Sequence, residues 1–286
     1  MWQLLLIVYF ILSTINYLLR RVLAKKLGDH NRLINAIFFM VFLLPEAVIL
    51  GFYFPHNLNV GVLNVMLLLG GSIIWPLLGL ASFQANKHVD VGIFAVINNV
   101  SPIFTLAIAL PFLHEKVSTL QVLGIGLLIL SGVLAASSQM HKRNRTSTEG
   151  ILLCLLSAFI LGVATAFERF MLGRVDFGTY LIYGWGSQIV WAAILAGKEL
   201  KKMPLLFAKS AEIRKILITW GSTRALASVC FISALKLTGA AIISAATDFL
   251  SVAVVIAAYF YLKERDHMIY KLFATAAGFA GLLLIA

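Results

Sequence analysis

Three ionisable side chains stand out inside long apolar runs of this sequence: Glu46, Arg224 and Asp248. In a lipid-embedded helix such a group costs about 2.5 to 3.5 kcal/mol on insertion scales, so its presence points to use or to pairing. The planar donor fork of Arg224 suits a carboxylate or a phosphate on a small molecule. Asp248 is then either its counter-ion or a carboxylate that couples transport to protons. The competing reading is a static ion pair between Arg224 and Asp248 that ties two helices together. Glu46 follows Pro45. It is either a second coupling carboxylate or a hydrogen-bonding partner for the backbone that the proline disturbs. Trp75, Asn98, Asn99, Asn16, Thr247 and Tyr183 complete the candidate substrate-binding set. Taken singly, a polar side chain in a spanning helix more often bonds to a neighbouring helix. The same holds for Tyr17, Ser82, Gln84, Thr165, Gln188, Ser228 and Ser244.

Positioning these groups falls to helices that cross a bilayer. Of the 286 residues, 61% are hydrophobic and 12% charged, about half the charged fraction of a soluble domain. Ten apolar runs approach the roughly 20 residues that a spanning helix needs: 2–22, 33–54, 62–85, 91–113, 119–138, 150–172, 178–197, 215–235, 240–262 and 268–285. At 1.5 Å per residue, Arg224 and Asp248 lie roughly 12 to 14 Å deep. Transmembrane strands need alternating polarity, and these runs are apolar on consecutive residues. The longest break, 198–215, has room for a short amphipathic helix. No basic residue precedes the apolar run 1–19 and no small-residue cleavage site follows it, which predicts a first span rather than a cleaved signal. Cys154 and Cys230 both lie in apolar runs and predict no disulfide framework.

Sliding the chain by 149 residues overlays its halves without a gap. Arg20 meets Arg169, Pro55 meets Pro204, Lys87 meets Lys236, Glu115 meets Glu264 and Gly132 meets Gly281. These types are scarce in the chain, so their coincidence carries weight that leucine matches lack. The expected units are 1–137 and 150–286, joined by 138–149. Five crossings per unit is odd, so the second unit enters from the opposite side. The expected fold is therefore an all-α integral membrane protein of ten transmembrane helices in two inverted five-helix repeats, an arrangement common among secondary transporters. The repeat sets Trp75 against Arg224, Asn99 against Asp248, Asn98 against Thr247 and Asn16 against Thr165. Polar groups at related places predict a cavity between the halves.

The formal net charge is +11, and the basic residues stand between the apolar runs. That placement reports membrane orientation rather than a nucleic-acid partner. Eighteen Lys and Arg follow helices 1, 3, 5, 7 and 9, with Arg20 and Arg21 counted as loop residues, and four fall on the other side. The positive-inside rule then puts the first set in the cytoplasm and both termini outside.

An ordered set of local features runs from residue 82 to 136. A small-residue helix end and turn (Ser82-Phe83-Gln84-Ala85-Asn86-Lys87-His88) is followed by a helix with a central proline (Val100-Ser101-Pro102-Ile103-Phe104-Thr105). Then come a Glu-basic turn (His114-Glu115-Lys116) and a Gly-rich helix carrying Gly124, Gly126 and Gly132. The set resembles the EamA-type family of the drug/metabolite transporter superfamily. Residues 232–281 repeat it more loosely, with Lys236, Lys263-Glu264-Arg265, Gly278 and Gly281. With ten helices the resemblance spans the chain, and it implies a transporter of amino acids and other small metabolites. Two departures stand out. Ser251 occupies the place of the family proline in the second half, and family members usually keep the N-terminus in the cytoplasm.

No HExxH, P-loop, GxSxG or cysteine pair at metal spacing occurs. The expectation is a protein that is not an enzyme, with no cofactor and no metal, and with passive or ion-coupled rather than ATP-driven transport. The reading is a multi-pass secondary transporter of the cell (inner or plasma) membrane. It moves small polar metabolites such as amino acids by alternating access, coupled to protons or by exchange. Its partners are the bilayer and a small-molecule substrate carrying a carboxylate or phosphate, with a homodimer left open. Two alternatives remain: a flippase for a lipid-linked sugar or polyprenyl carrier, and a non-transporting receptor or scaffold.

Overall fold

The computed structural model describes residues 2–113, 146–238, 240–263 and 268–285, with isolated positions between 118 and 134. Much of the run expected at 119–138 and most of the joining segment lie outside the described residues. Among the described residues every regular element is helical, as lipid requires, because a helix satisfies its backbone groups within one segment. Among the described residues four helical stretches are long and apolar enough to cross a membrane: Gln3–Tyr53, Val62–His88, Thr148–Leu172 and Ala211–Ala234.

Helix α1 (Trp2–Leu27) outruns its apolar stretch and carries Arg20, Arg21, Lys25 and Lys26 within the helix. This corrects the loop tally, because Arg20 and Arg21 are buried helical residues. The helix is amphipathic inside out. Leu4, Ile7, Ile11 and Ile15 are exposed, while Ser13, Asn16 and Arg20 are buried. Spacings of three and four put each set on one face, so apolar side chains meet lipid and polar ones turn inward.

After a 3₁₀ turn at Gly28–His30, α2 (Asn31–Ile37) widens into a π-helical stretch, Phe38–Leu43, and re-forms as α3 (Leu44–Tyr53). Pro45 lacks the N–H that would return to Val41, which accounts for the widening there. The third and fourth expected spans are each broken. The third is α4 (Val62–Gly71) and α5 (Ile74–His88). The fourth is α6 (Val91–Asn98) and α7 (Ser101–Leu113), parted at Asn99 and Val100 just before Pro102.

In the second half, α8 (Thr146–Leu172) is unbroken. The short α9 (Phe177–Thr179), a π-helical stretch Tyr180–Trp185 and α10 (Gly186–Ala196) follow as one rod. A 3₁₀ turn, Gly197–Lys202, and α11 (Met203–Ala208) fill the long break. The chain closes with α12 (Ala211–Thr238), α13 (Ala240–Tyr261) and α14 (Met268–Ile285).

Helices of the two halves interleave. α1 runs antiparallel to α12, with Lys26 paired to Glu212 at one end. Asn16 donates to the Trp220 carbonyl at 3.0 Å midway, and Tyr9 packs on Phe231 at 5.6 Å further along. α5 lies against α8, joined by the Ser82 and Ser157 hydroxyls at 3.0 Å. Near the end of α3 the approach is backbone to backbone: the Gly178 N–H donates to the Pro55 carbonyl at 3.0 Å. A Cβ on Gly178 would stand 2.7 Å from the Phe54 carbonyl oxygen, so only glycine fits. Cys154 and Cys230 are both free thiols.

Candidate functional site

The interleaving leaves a cavity of about 230 Å³ that draws side chains from α1, both π-helical stretches and the broken helices, and also from α8, α10, α12 and α13. Tyr9, Ser13, Asn16, Tyr17 and Arg20 form its α1 wall. The two helix breaks present Trp75 on one side and Asn98, Asn99 and Ser101 on another. Discontinuous helices placed this way are how transporters bring polar backbone and side chains to mid-membrane depth. One link crosses the halves at this level: the Asn99 amide donates to the Ser251 hydroxyl at 3.0 Å. The residue standing in place of the family proline thus anchors the break in the other half.

Two arginines reach the cavity. Arg224 lies in α12 with its guanidinium 4.2 Å from the centre of the Phe38 ring and 5.7 Å from that of Trp220. Its Nη1 is inaccessible to solvent and meets no acceptor. Arg20 is 9% exposed and lies over Tyr17 at 4.7 Å and Phe94 at 5.5 Å. Its Nε–H likewise finds no acceptor. Among the described residues no carboxylate forms an ion pair with either arginine. The two charges are near enough to repel each other. On the α8 wall, Glu168 is buried and accepts a hydrogen bond from the Tyr180 hydroxyl at 2.8 Å, while its second oxygen has no partner.

Of the residues singled out by the sequence, Arg224, Trp75, Asn98, Asn99 and Asn16 meet at this cavity. Tyr17, Ser82, Thr165, Gln188 and Ser228 join them. The side chains of Asp248, Thr247 and Ser244 lie outside the described residues. Tyr183 is not in the lining, and its hydroxyl donates to the Leu58 carbonyl at 3.1 Å. Glu46 also stands away from the cavity, in the first turn of α3, with one carboxylate oxygen buried and unpartnered. Gln84 is exposed.

Sequence reasoning missed Arg20 and Glu168. Arg20 was assigned to a loop because it sits beside Arg21 where the apolar run fades. The signal was there in the spacing: Ser13, Asn16, Tyr17 and Arg20 fall at steps of three and four, a polar stripe on one helix face. Glu168 lies inside the apolar run 150–172, the same signal that marks Glu46, yet it is not among the residues singled out.

No curated protein matches the chain. Residues 148–286 match the family model described as the EamA-like transporter family. That family is part of the drug/metabolite transporter superfamily, whose members are transporters rather than enzymes. The second half of the chain is thus similar to the EamA-like transporter family, and the long apolar helices are those of a multi-pass helical membrane protein.

Proposed function

We propose that the chain is a secondary transporter working by alternating access, and that its solute binds in the cavity with an anionic group on Arg224. The observation that carries this reading is the arginine itself: a half-buried side chain whose guanidinium stacks on aromatic rings, with one solvent-inaccessible donor unmet and no counter-charge among the described residues. A guanidinium drawn partly out of water without a counter-charge is costly, and an anion entering the cavity offsets that cost. Asp248 remains a candidate coupling carboxylate. Among the described carboxyl groups only Glu168 lines the cavity, which favours it over Glu46 as the proton carrier.

The chain is read as ten spans in two inverted five-helix units, 1–137 and 150–286, with the site between them. Support comes from the antiparallel pairing of α1 with α12 and from a π-helical stretch in the second helix of each half. Burial of Arg20, Arg21 and Lys271 removes three residues from the cytoplasmic tally. The excess survives and keeps both termini outside a cell membrane. A cavity of about 230 Å³ lies below the roughly 300–1,000 Å³ of drug-sized sites. It suits a small metabolite better than the headgroup of a lipid-linked sugar.

The test is reconstitution in liposomes with an imposed pH gradient, using solutes first chosen by thermal shift of the purified protein. Saturable flux through the wild type, and its loss in Arg224→Ala at an unchanged melting midpoint, are the expected results. Normal flux through Arg224→Ala overturns the reading.

A further inference from the structure

The proposal above needs one arginine, but the cavity holds two. Arg20 and Arg224 come from antiparallel helices of opposite halves and both line the same space. Each is held on its faces by aromatic rings: Tyr17 and Phe94 for Arg20, Phe38 and Trp220 for Arg224. Stacking fixes the plane of a guanidinium and leaves its N–H edge free to point into the cavity. On each arginine at least one buried N–H has no acceptor. Two like charges brought together out of water raise the energy of the empty site beyond the sum of their separate costs. A monoanion neutralises one of them and leaves the other as costly as before. A zwitterion, with no net charge, neutralises neither fully.

We propose that Arg20 and Arg224 form a single two-pronged site and that the solute is a small dianion, presenting oxyanion charge to both guanidinium groups at once. This rests on the transporter reading and narrows it, because it moves the substrate class away from neutral amino acids. Two chemistries supply the charge. A short dicarboxylate offers one bidentate acceptor to each fork, whereas a phosphate places about −1.5 to −2 on a single group between them. Tyr17 lies within electrostatic reach of both arginines and offers a hydroxyl beside either ligand.

The experiment is thermal shift and calorimetric titration of the full-length protein in detergent with succinate, inorganic phosphate, acetate and L-alanine at matched ionic strength. Succinate or phosphate is expected to raise the midpoint saturably, and whichever does so identifies the chemistry. Acetate and L-alanine are expected to bind at least about thirtyfold more weakly, as for a ligand that leaves a buried charge unpaired. Arg20→Gln and Arg224→Gln should each weaken the dianion by a similar factor. Arg20→Lys, which keeps the charge and loses the fork, should fall between wild type and Arg20→Gln. The wild-type comparison needs no variant and stands even if one misfolds. A response to L-alanine or acetate equal to that of the dianions overturns the two-pronged site while leaving a transporter in place. Equal dianion affinity in wild type and Arg20→Gln overturns it as well, since the charge is then met elsewhere. No response to either dianion in a protein that carries flux of another solute overturns it too. Absence of any solute flux removes the transporter reading beneath it.

Discussion

Arg20 and Arg21 are neighbours on α1, and both are buried, yet they belong to different regions of the molecule. Arg20 faces the cavity among aromatic rings. Arg21 is turned about 100° around the helix and enters an ionic cluster. Its guanidinium stands 3.4 Å from Asp90 and donates to the Asn86 carbonyl, while Lys271 reaches the other Asp90 oxygen at 3.4 Å. Asp90 is the N-cap residue of α6, but its side chain makes no cap and serves the two cations instead. The cluster ties α1, the start of α6 and α14 together, and so joins the two halves near the end of α1. One step along a helix thus separates a charge that meets a counter-charge from one that meets none among the described residues. Burial alone does not tell the two roles apart; the presence of a counter-charge does.

The largest effect should come from breaking the paired region. Asp90→Ala removes the carboxylate that faces two buried cations, and removing one partner of a buried pair typically costs about 3–5 kcal/mol. A fall of that size in the unfolding free energy in detergent, or failure to extract folded protein, is expected. Arg20→Ala and Arg224→Ala remove charges that repel each other, so their stability should change by no more than about 1 kcal/mol in either direction while flux disappears. If Arg20→Ala costs as much as Asp90→Ala, Arg20 is a structural residue and the contrast collapses.

Glu168 sharpens the same contrast on the acidic side. Glu168→Gln keeps the hydrogen bond from Tyr180 and removes the exchangeable proton. Uptake driven by a pH gradient should drop to the level of protein-free liposomes, while counterflow exchange of the solute persists. Glu46→Gln, away from the cavity, should retain both. Loss of exchange in Glu168→Gln would make the residue part of the binding surface rather than the coupling device.

The cavity also depends on a close contact that the ionic cluster does not share. A Cβ on Gly162 would lie 2.6 Å from the Phe104 Cβ and 2.7 Å from the Ser101 carbonyl oxygen, against the broken helix that carries Asn98 and Asn99. Gly162→Ala should cost about 1–3 kcal/mol by overpacking and lower solute affinity by shifting that break. Gly186→Ala meets open space and should be neutral or stabilising by up to about 1 kcal/mol through helix propensity. The pair separates crowding from a general intolerance of alanine.

The helical runs were legible because lipid leaves the chain little choice, and a run of apolar residues announces its own secondary structure. The half-helix breaks were less legible. Pro102 marked one, but the break between α4 and α5 precedes Trp75 and Pro76 with only Gly70 and Gly71 before it. The site was legible where a charge stood deep inside an apolar run, as Arg224 does. It was illegible where a charge stood near a run's end, because Arg20 beside Arg21 reads as loop chemistry. Which way each member of such a pair turns is set by packing against distant helices, and no local pattern states it outright. Tyr183 shows the converse. A tyrosine inside a span was read as cavity-facing, yet its hydroxyl is taken up by the Leu58 carbonyl, in a segment distant in sequence.

The smallest effect belongs to a third kind of charge, exposed and paired. Lys26 and Glu212 form an ion pair at the same end of α1 as the buried cluster, with 42% and 67% of their side chains exposed. Water already solvates both groups, so the pair adds little beyond what the separated charges have, and salt screens the remainder. Lys26→Ala or Glu212→Ala should change stability by about 0.2–1 kcal/mol, and less at high salt, with flux intact. A larger loss would mean that this pair, and not Asp90 with its two cations, fastens α1 to the second half. The difference between Arg20 and Arg21 would then concern their own surroundings only, rather than the way the two halves are held around the cavity.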